Sequence, residues 1–125
     1  MRLEAIVLCA LALGLSTASA QNTGEQNTQA LYRMCRNEHD PNFALCLGYI
    51  SGISDIMGAM GDYNKQKHIK DLGSWSFCAQ QPILSYGAIV QTFVNWAQAH
   101  PERWSENQML GVIFALREKF PCPAD

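Results

Sequence analysis

Five cysteines constrain this chain more than any other feature, because their number is odd and their pairing depends on which of them the folded protein retains. Cys9 lies in a segment that reads as an export signal. Arg2 gives a short positive start, Ala5 to Leu15 is an apolar run, and Ala18-Ser19-Ala20 places small residues where a signal peptidase needs them. The run is too brief for an anchor, since about 20 apolar residues are needed to span a bilayer. A lipid-modified Cys9 is disfavoured, because bulky Leu8 precedes it and no apolar region lies upstream. Residues 1–20 are therefore expected to be cleaved before Gln21, and Cys9 leaves with them. Cys35, Cys46, Cys78 and Cys122 remain, and an even number in a small exported domain predicts two disulfides. No C-x-x-C pair occurs, which argues against a thioredoxin-like redox site and against a zinc ribbon.

Residues 21–125 are enough for one domain and not for two. No second apolar run is expected to reach membrane length, so the mature form should leave the membrane after cleavage. The net charge is −2, and removal of Arg2 with Glu4 leaves it unchanged. Without a basic cluster, nucleic acid is a poor partner. Lys65, Lys67 and Lys70 gather around His68, but Asp62 and Asp71 flank them, as in a solvated loop.

The chain patterns as helices, with almost no strand signal. A first helix is expected over about 27–37, with Ala30, Leu31 and Met34 at helical spacing; Thr23-Gly24-Glu25-Gln26 has capping-box spacing ahead of it. Asp40-Pro41-Asn42 is a turn, and Asn42 can start a second helix reaching about residue 61. Its apolar stripe is Cys46, Tyr49, Ile50, Ile53, Met57 and Met60. A second stripe is small, with Gly48, Gly52 and Ala59, and Asp55 stands among them. A glycine in a helix interior costs about 1 kcal/mol relative to alanine, so close approach of another helix is expected there. Residues 62–81 are polar and irregular, with Trp75 and Phe77 folding back near Cys78.

Pro82 suits the first turn of a third helix that Pro101 stops after His100. Ile83, Ile89, Val90, Phe93, Val94 and Ala97 give it a wide apolar face, with Tyr86 and Trp96 on the margin. Ser105-Glu106-Asn107-Gln108 is a capping box, and Trp104 with Met109 has the spacing of a hydrophobic staple. The fourth helix then carries Met109, Leu110, Ile113, Leu116 and Phe120. The fold class is all-α, a small single-domain bundle of about four helices stapled by two disulfides. If successive helices run antiparallel, the end of the first meets the start of the second, and the start of the third meets the end of the fourth. Of three connectivities, that favours Cys35–Cys46 with Cys78–Cys122.

Catalytic machinery is not evident. The four retained cysteines are expected to be oxidised, and no serine sits in a G-x-S-x-G turn. His39, His68 and His100 fall at helix ends or in the loop, and no H-x-x-x-H pair offers metal-ligand spacing. The reading is a protein with no enzymatic activity, no cofactor and no metal. Asp55 is the one acid on an expected packed face, where a hydrogen bond to backbone or to Ser51 would satisfy it.

Leu31-Tyr32-Arg33-Met34-Cys35 followed by Cys46-Leu47-Gly48-Tyr49-Ile50-Ser51-Gly52-Ile53-Ser54-Asp55 resembles the Rap/Tai immunity family. So do Phe77-Cys78, Ala99-His100-Pro101-Glu102, Ala115-Leu116 and the terminal Phe120-Pro121-Cys122. The likeness spans about residues 31–122. It implies a periplasmic helical protein that binds and blocks a peptidoglycan amidase effector of type VI secretion, often as a homodimer. Gly48, Tyr49, Gly52 and Asp55 match the family signature and are expected to hold helices together. Partner contact is then expected from exposed loops, with Tyr63, His68, Trp75 and Trp104 as candidates. One departure is that Ala79-Gln80-Gln81 intervenes before Pro82, where the family often has proline soon after the third cysteine. Two alternatives differ in class: an Hde-like periplasmic chaperone that opens under acid stress, or an envelope protein with this fold and no toxin partner.

Overall fold

A computed structural model describes residues 26–67, 77–78 and 85–122. The expected signal peptide, Thr23–Glu25, His68, Trp75 and Pro82 lie outside the described residues. Among the described residues the architecture is all-α, in the order α1 (Thr28–Cys35), α2 (Phe43–Lys67), α3 (Tyr86–Ala99), a short 3-10 turn (Pro101–Arg103) and α4 (Gln108–Lys119).

Each start has a local cause. Asn27 caps α1 by accepting the amide of Ala30 at 2.9 Å, Ser85 caps α3 through Ala88 at 3.2 Å, and Asn107 caps α4 through Met109 at 2.9 Å. Such caps satisfy amides that the first turn leaves without a carbonyl. In the turn before α2, Asp40 accepts the Asn42 amide at 2.7 Å and the Asn42 carbonyl opens the helical ladder. α3 is the central element, packing against α1, α2 and α4. Leu31, Cys46, Ile50, Phe93, Val112 and Leu116 form the fully enclosed part of the core.

The two disulfides are Cys35–Cys46, with Cα atoms 5.3 Å apart, and Cys78–Cys122, at 4.7 Å, as the antiparallel reading requires. The first is sealed in the core and ties α1 to α2; the second closes the end of α4 onto the segment at Phe77-Cys78. Beside it, the Cys78 amide donates to the Phe120 carbonyl at 3.0 Å and the Phe77 and Phe120 rings stand 6.0 Å apart.

Several boundaries differ from expectation. α2 continues to Lys67, well beyond residue 61, so residues 62–67 are helical where an irregular stretch was expected. α3 begins at Tyr86 and not near Pro82, because the Ser85 hydroxyl provides the cap. Trp96, expected on the margin of α3, is buried, and its indole N–H donates to Glu118 at 2.9 Å.

The capping box at Ser105 does not form. Asn107 caps α4 two residues later, because the preceding strand-like segment is held by α1: the Thr28 amide donates to the Glu106 carbonyl at 2.8 Å, the Gln108 amide to the Gln26 carbonyl at 3.3 Å, and Asn27 bridges Asn107. The staple is replaced too. Trp104 stacks on Tyr32 with ring centroids 5.7 Å apart, and Met109 stays largely exposed.

The expectation of tight packing at Gly48 and Gly52 is also corrected: a Cβ built on either would meet nothing within 4 Å. The glycine that packing demands is Gly111. A Cβ there would fall 2.5 Å from the Thr28 hydroxyl oxygen and 2.9 Å from its methyl group. Thr28 is fully buried, and its hydroxyl donates to the Glu106 carbonyl at 3.1 Å.

Candidate functional site: the open face of α2

The 25 residues of α2 extend about 37 Å at the helical rise, longer than any other element described. One side carries Cys46, Ile50, Ser54 and Met57 into the core, with Tyr49 and Ile53 partly covered. The other side is open and largely apolar. Leu45 is 66% exposed, Ile56 59%, Tyr63 53% and Met60 41%, with Gly48, Gly52 and Ala59 exposed between them. Positions 45, 48, 52, 56, 59 and 63 recur at intervals of three and four, so they form a single stripe.

This stripe changes one expectation about the membrane. Phe43–Tyr63 is long and apolar enough to cross a bilayer by length and composition, with a mean hydropathy of 1.5, and only 22% of its most apolar window is buried. Ser51, Ser54, Asp55 and four glycines interrupt the apolar run without lowering its average below that of a span. The inner side and the Cys35–Cys46 bond tie α2 into the bundle. Exposed large apolar residues gathered on one face, unlike scattered ones, mark interaction surfaces.

Asp55 lies near the middle of this face, and it is exposed where a packed position was expected. Its partner is the hydroxyl of Tyr86, at the start of α3, which lies 3.1 Å from both carboxylate oxygens. The hydrogen bond, and then the negative charge, of Asp55 push the Tyr86 hydroxyl above its usual pKa range. Tyr86 is itself half exposed, so its ring extends the apolar surface of α2 onto α3. Tyr49, one turn from Ile53, is half-buried and hydrogen-bonds to Gln108; burial raises its pKa and the Gln108 contact partly offsets this.

The remaining candidates separate clearly. Tyr63 is on the open face, near the C-terminal end of α2, while His68 and Trp75 lie outside the described residues. Trp104 is engaged inside the fold: its indole N–H donates to the Ala97 carbonyl at 2.7 Å and one ring face is covered by Tyr32.

A second concavity, of about 500 Å³, lies at the far end of α3 and α4 and is lined by Trp96, His100, Arg103, Phe114 and Arg117 among others. Its polar groups largely satisfy one another. His100 Nδ1 is 2.9 Å from Glu102 and Nε2 is 3.8 Å from Glu118, while the Arg103 guanidinium lies 4.7 Å above the Phe114 ring and 3.2 Å from Glu106. His100 holds the exposed Glu102 carboxyl below its ordinary pKa. Among the described residues, no three or more His, Cys, Asp or Glu side chains gather as a metal ion would require.

The site is therefore an exposed apolar contact surface. A model of the Rap1a immunity proteins matches residues 27–122, from the cap of α1 to the second disulfide. The chain belongs to this family. No curated protein and no solved structure gives a significant match. The residues expected from the resemblance to form a family signature lie on different sides of α2. Tyr49 packs inward toward α4, whereas Gly48, Gly52 and Asp55 are presented outward on the open face.

Proposed function

We propose that this protein is a periplasmic immunity protein that binds a peptidoglycan amidase effector of type VI secretion and blocks it by occlusion, without catalysis of its own. Family membership supports immunity to a toxic partner. The observation that carries the binding part is the open apolar face of α2, which no element among the described residues covers and which a partner would bury. Residues 1–20 act as the signal peptide that delivers the chain to the compartment where such an effector attacks the cell wall, and where Cys35–Cys46 and Cys78–Cys122 stay oxidised. The two-disulfide framework stiffens the surface before binding, and preorganisation lowers the ordering cost of association.

Protection from a toxin requires tight binding, on the order of 1 nM, which corresponds to about −12 kcal/mol. Centrally placed apolar anchors in a standard interface reach that figure. The test is co-expression with type VI peptidoglycan amidases directed to the periplasm, followed by calorimetry on the purified pair. Rescue from lysis with nanomolar binding is expected, and a full set of amidases neither bound nor neutralised would overturn the reading. Light scattering on the effector-free protein measures the homodimer that this family reading also proposes.

A further inference from the structure

Between Phe43 and Gly61, α2 contains no Lys, Arg, His, Asn or Gln. Its polar side chains there are Tyr49, Ser51, Ser54 and Asp55. The Ser51 hydroxyl donates to the Gly48 carbonyl at 3.1 Å and the Ser54 hydroxyl to the Ser51 carbonyl at 2.9 Å, while Tyr49 turns to Gln108. Asp55 is thus the one charged side chain of this stretch, and it is exposed. Tyr86 has a single hydroxyl proton, and it is directed at the Asp55 carboxylate. A carboxylate has about four lone-pair sites, so most of its acceptor capacity stays open. The centre of the face therefore presents acceptors and the exposed Tyr86 ring, with Ile56 and Met60 beside them and Leu45 farther along the stripe.

We propose that this face docks a partner protein through an arginine set among apolar side chains, with the guanidinium paired to Asp55 and laid on the Tyr86 ring. The proposal rests on the effector-binding reading and names the chemistry of the effector's contact surface. A guanidinium suits the site because it supplies donors in a planar fork and stacks on aromatic faces, which an ammonium does less well. A second copy suits it poorly. Antiparallel self-contact centred on the apolar stretch would set an acceptor-only surface against itself, with no cation from Phe43–Gly61 to receive either Asp55.

Two synthetic amphipathic helical peptides test this, both with a Leu/Ala stripe, one with a central arginine and its twin with glutamate there. Titrated into isotope-labelled mature protein, the arginine peptide should shift the amides of residues 45–63 and of Tyr86 and bind at least about tenfold more tightly than its twin. Asp55→Asn keeps an acceptor for Tyr86 but removes the charge, and should abolish the preference at an unchanged melting temperature. Tyr86→Phe, which keeps the ring, should retain it. Equal affinity for the twins, shifts confined to the cleft around His100, or a dimer that Ile56→Glu splits would each overturn the proposal.

The amidase assay separates this proposal from the functional reading. If an amidase is neutralised and Asp55→Asn binds it with unchanged affinity, the docking chemistry falls and the immunity reading stands. If no amidase is bound but the peptides are discriminated through Asp55, the immunity reading falls and the docking chemistry stands.

Discussion

Replacing Gly111 by alanine sets two effects of opposite sign against each other, and the structure decides between them. Alanine in a helix interior is favoured over glycine by about 1 kcal/mol. Against that, the new Cβ would sit 2.5 Å from the Thr28 hydroxyl oxygen, 2.9 Å from its methyl and 3.2 Å from its own Cβ. Thr28 has little freedom to move aside, being fully buried, β-branched and bonded to the Glu106 carbonyl. Overpacking of this kind costs about 1–3 kcal/mol, and displacing the hydroxyl from its carbonyl adds about 1–3 kcal/mol for a buried group left unsatisfied. The net expectation is destabilisation by about 1–5 kcal/mol. At about 4–8 °C per kcal/mol for a domain of this size, the melting temperature should fall by at least about 4 °C and by tens of degrees at the upper end.

Gly52→Ala is the matched control. Nothing lies within 4 Å of its Cβ, so only the propensity gain of about 1 kcal/mol remains and the domain should become more stable. Urea unfolding of the two variants, with Thr28→Ala and the Thr28→Ala/Gly111→Ala pair, completes a double-mutant cycle. Coupling of about 1 kcal/mol or more is expected between residues in contact. A Gly111→Ala protein as stable as the parent, or additive effects across the cycle, would refute the packing argument.

Other consequences are as direct. Chain-entropy estimates give about 3 kcal/mol for the Cys35–Cys46 loop and about 4 kcal/mol for Cys78–Cys122, and the first is sealed in the core. Graded reduction followed by alkylation should therefore label Cys78 and Cys122 first; simultaneous labelling of all four would contradict this. Ile56→Glu and Leu45→Glu change exposed positions, so unfolding midpoints should move by no more than about 0.5 kcal/mol while effector binding weakens strongly. The depressed Glu102 carboxyl makes a contribution that is present above its unfolded pKa, near 4.5, and is lost as pH falls through the lower folded value. Glu102→Gln should flatten that acid limb in denaturation curves at pH 3 to 6, and an unchanged limb would remove Glu102 from its cause. An Hde-like chaperone would instead bind apolar dye and suppress aggregation at about pH 3, which separates that alternative in one measurement.

The helices and the disulfide pairing were legible because they depend on short-range chemistry. Apolar spacing marked the bundle, and taking successive helices as antiparallel favoured the pairing that forms. What failed depends on neighbours far along the chain. Gly48 and Gly111 look alike in sequence, and only Thr28, more than eighty residues before Gly111, makes one of them a packing necessity. Ser105 has the spacing of a helix cap, yet Glu106 is already engaged by Thr28, so the helix starts at Gln108. The open face was misread for a related reason. Periodicity shows that α2 has small and large apolar stripes, but which of them meets α3 is set by the packing of other helices.

The bridge between Asn27 and Asn107 ties together the two residues that cap α1 and α4. Its consequence is one of timing. A chain delivered N-terminus first can form the Cys35–Cys46 hairpin as soon as residue 46 has emerged, but α1 meets α4 only after residue 107. Contacts separated by 78 and 79 positions must wait for that loop to close, and non-local closure of this kind slows folding. Because its first and last helices begin at the same place, the domain closes only once most of its chain is available.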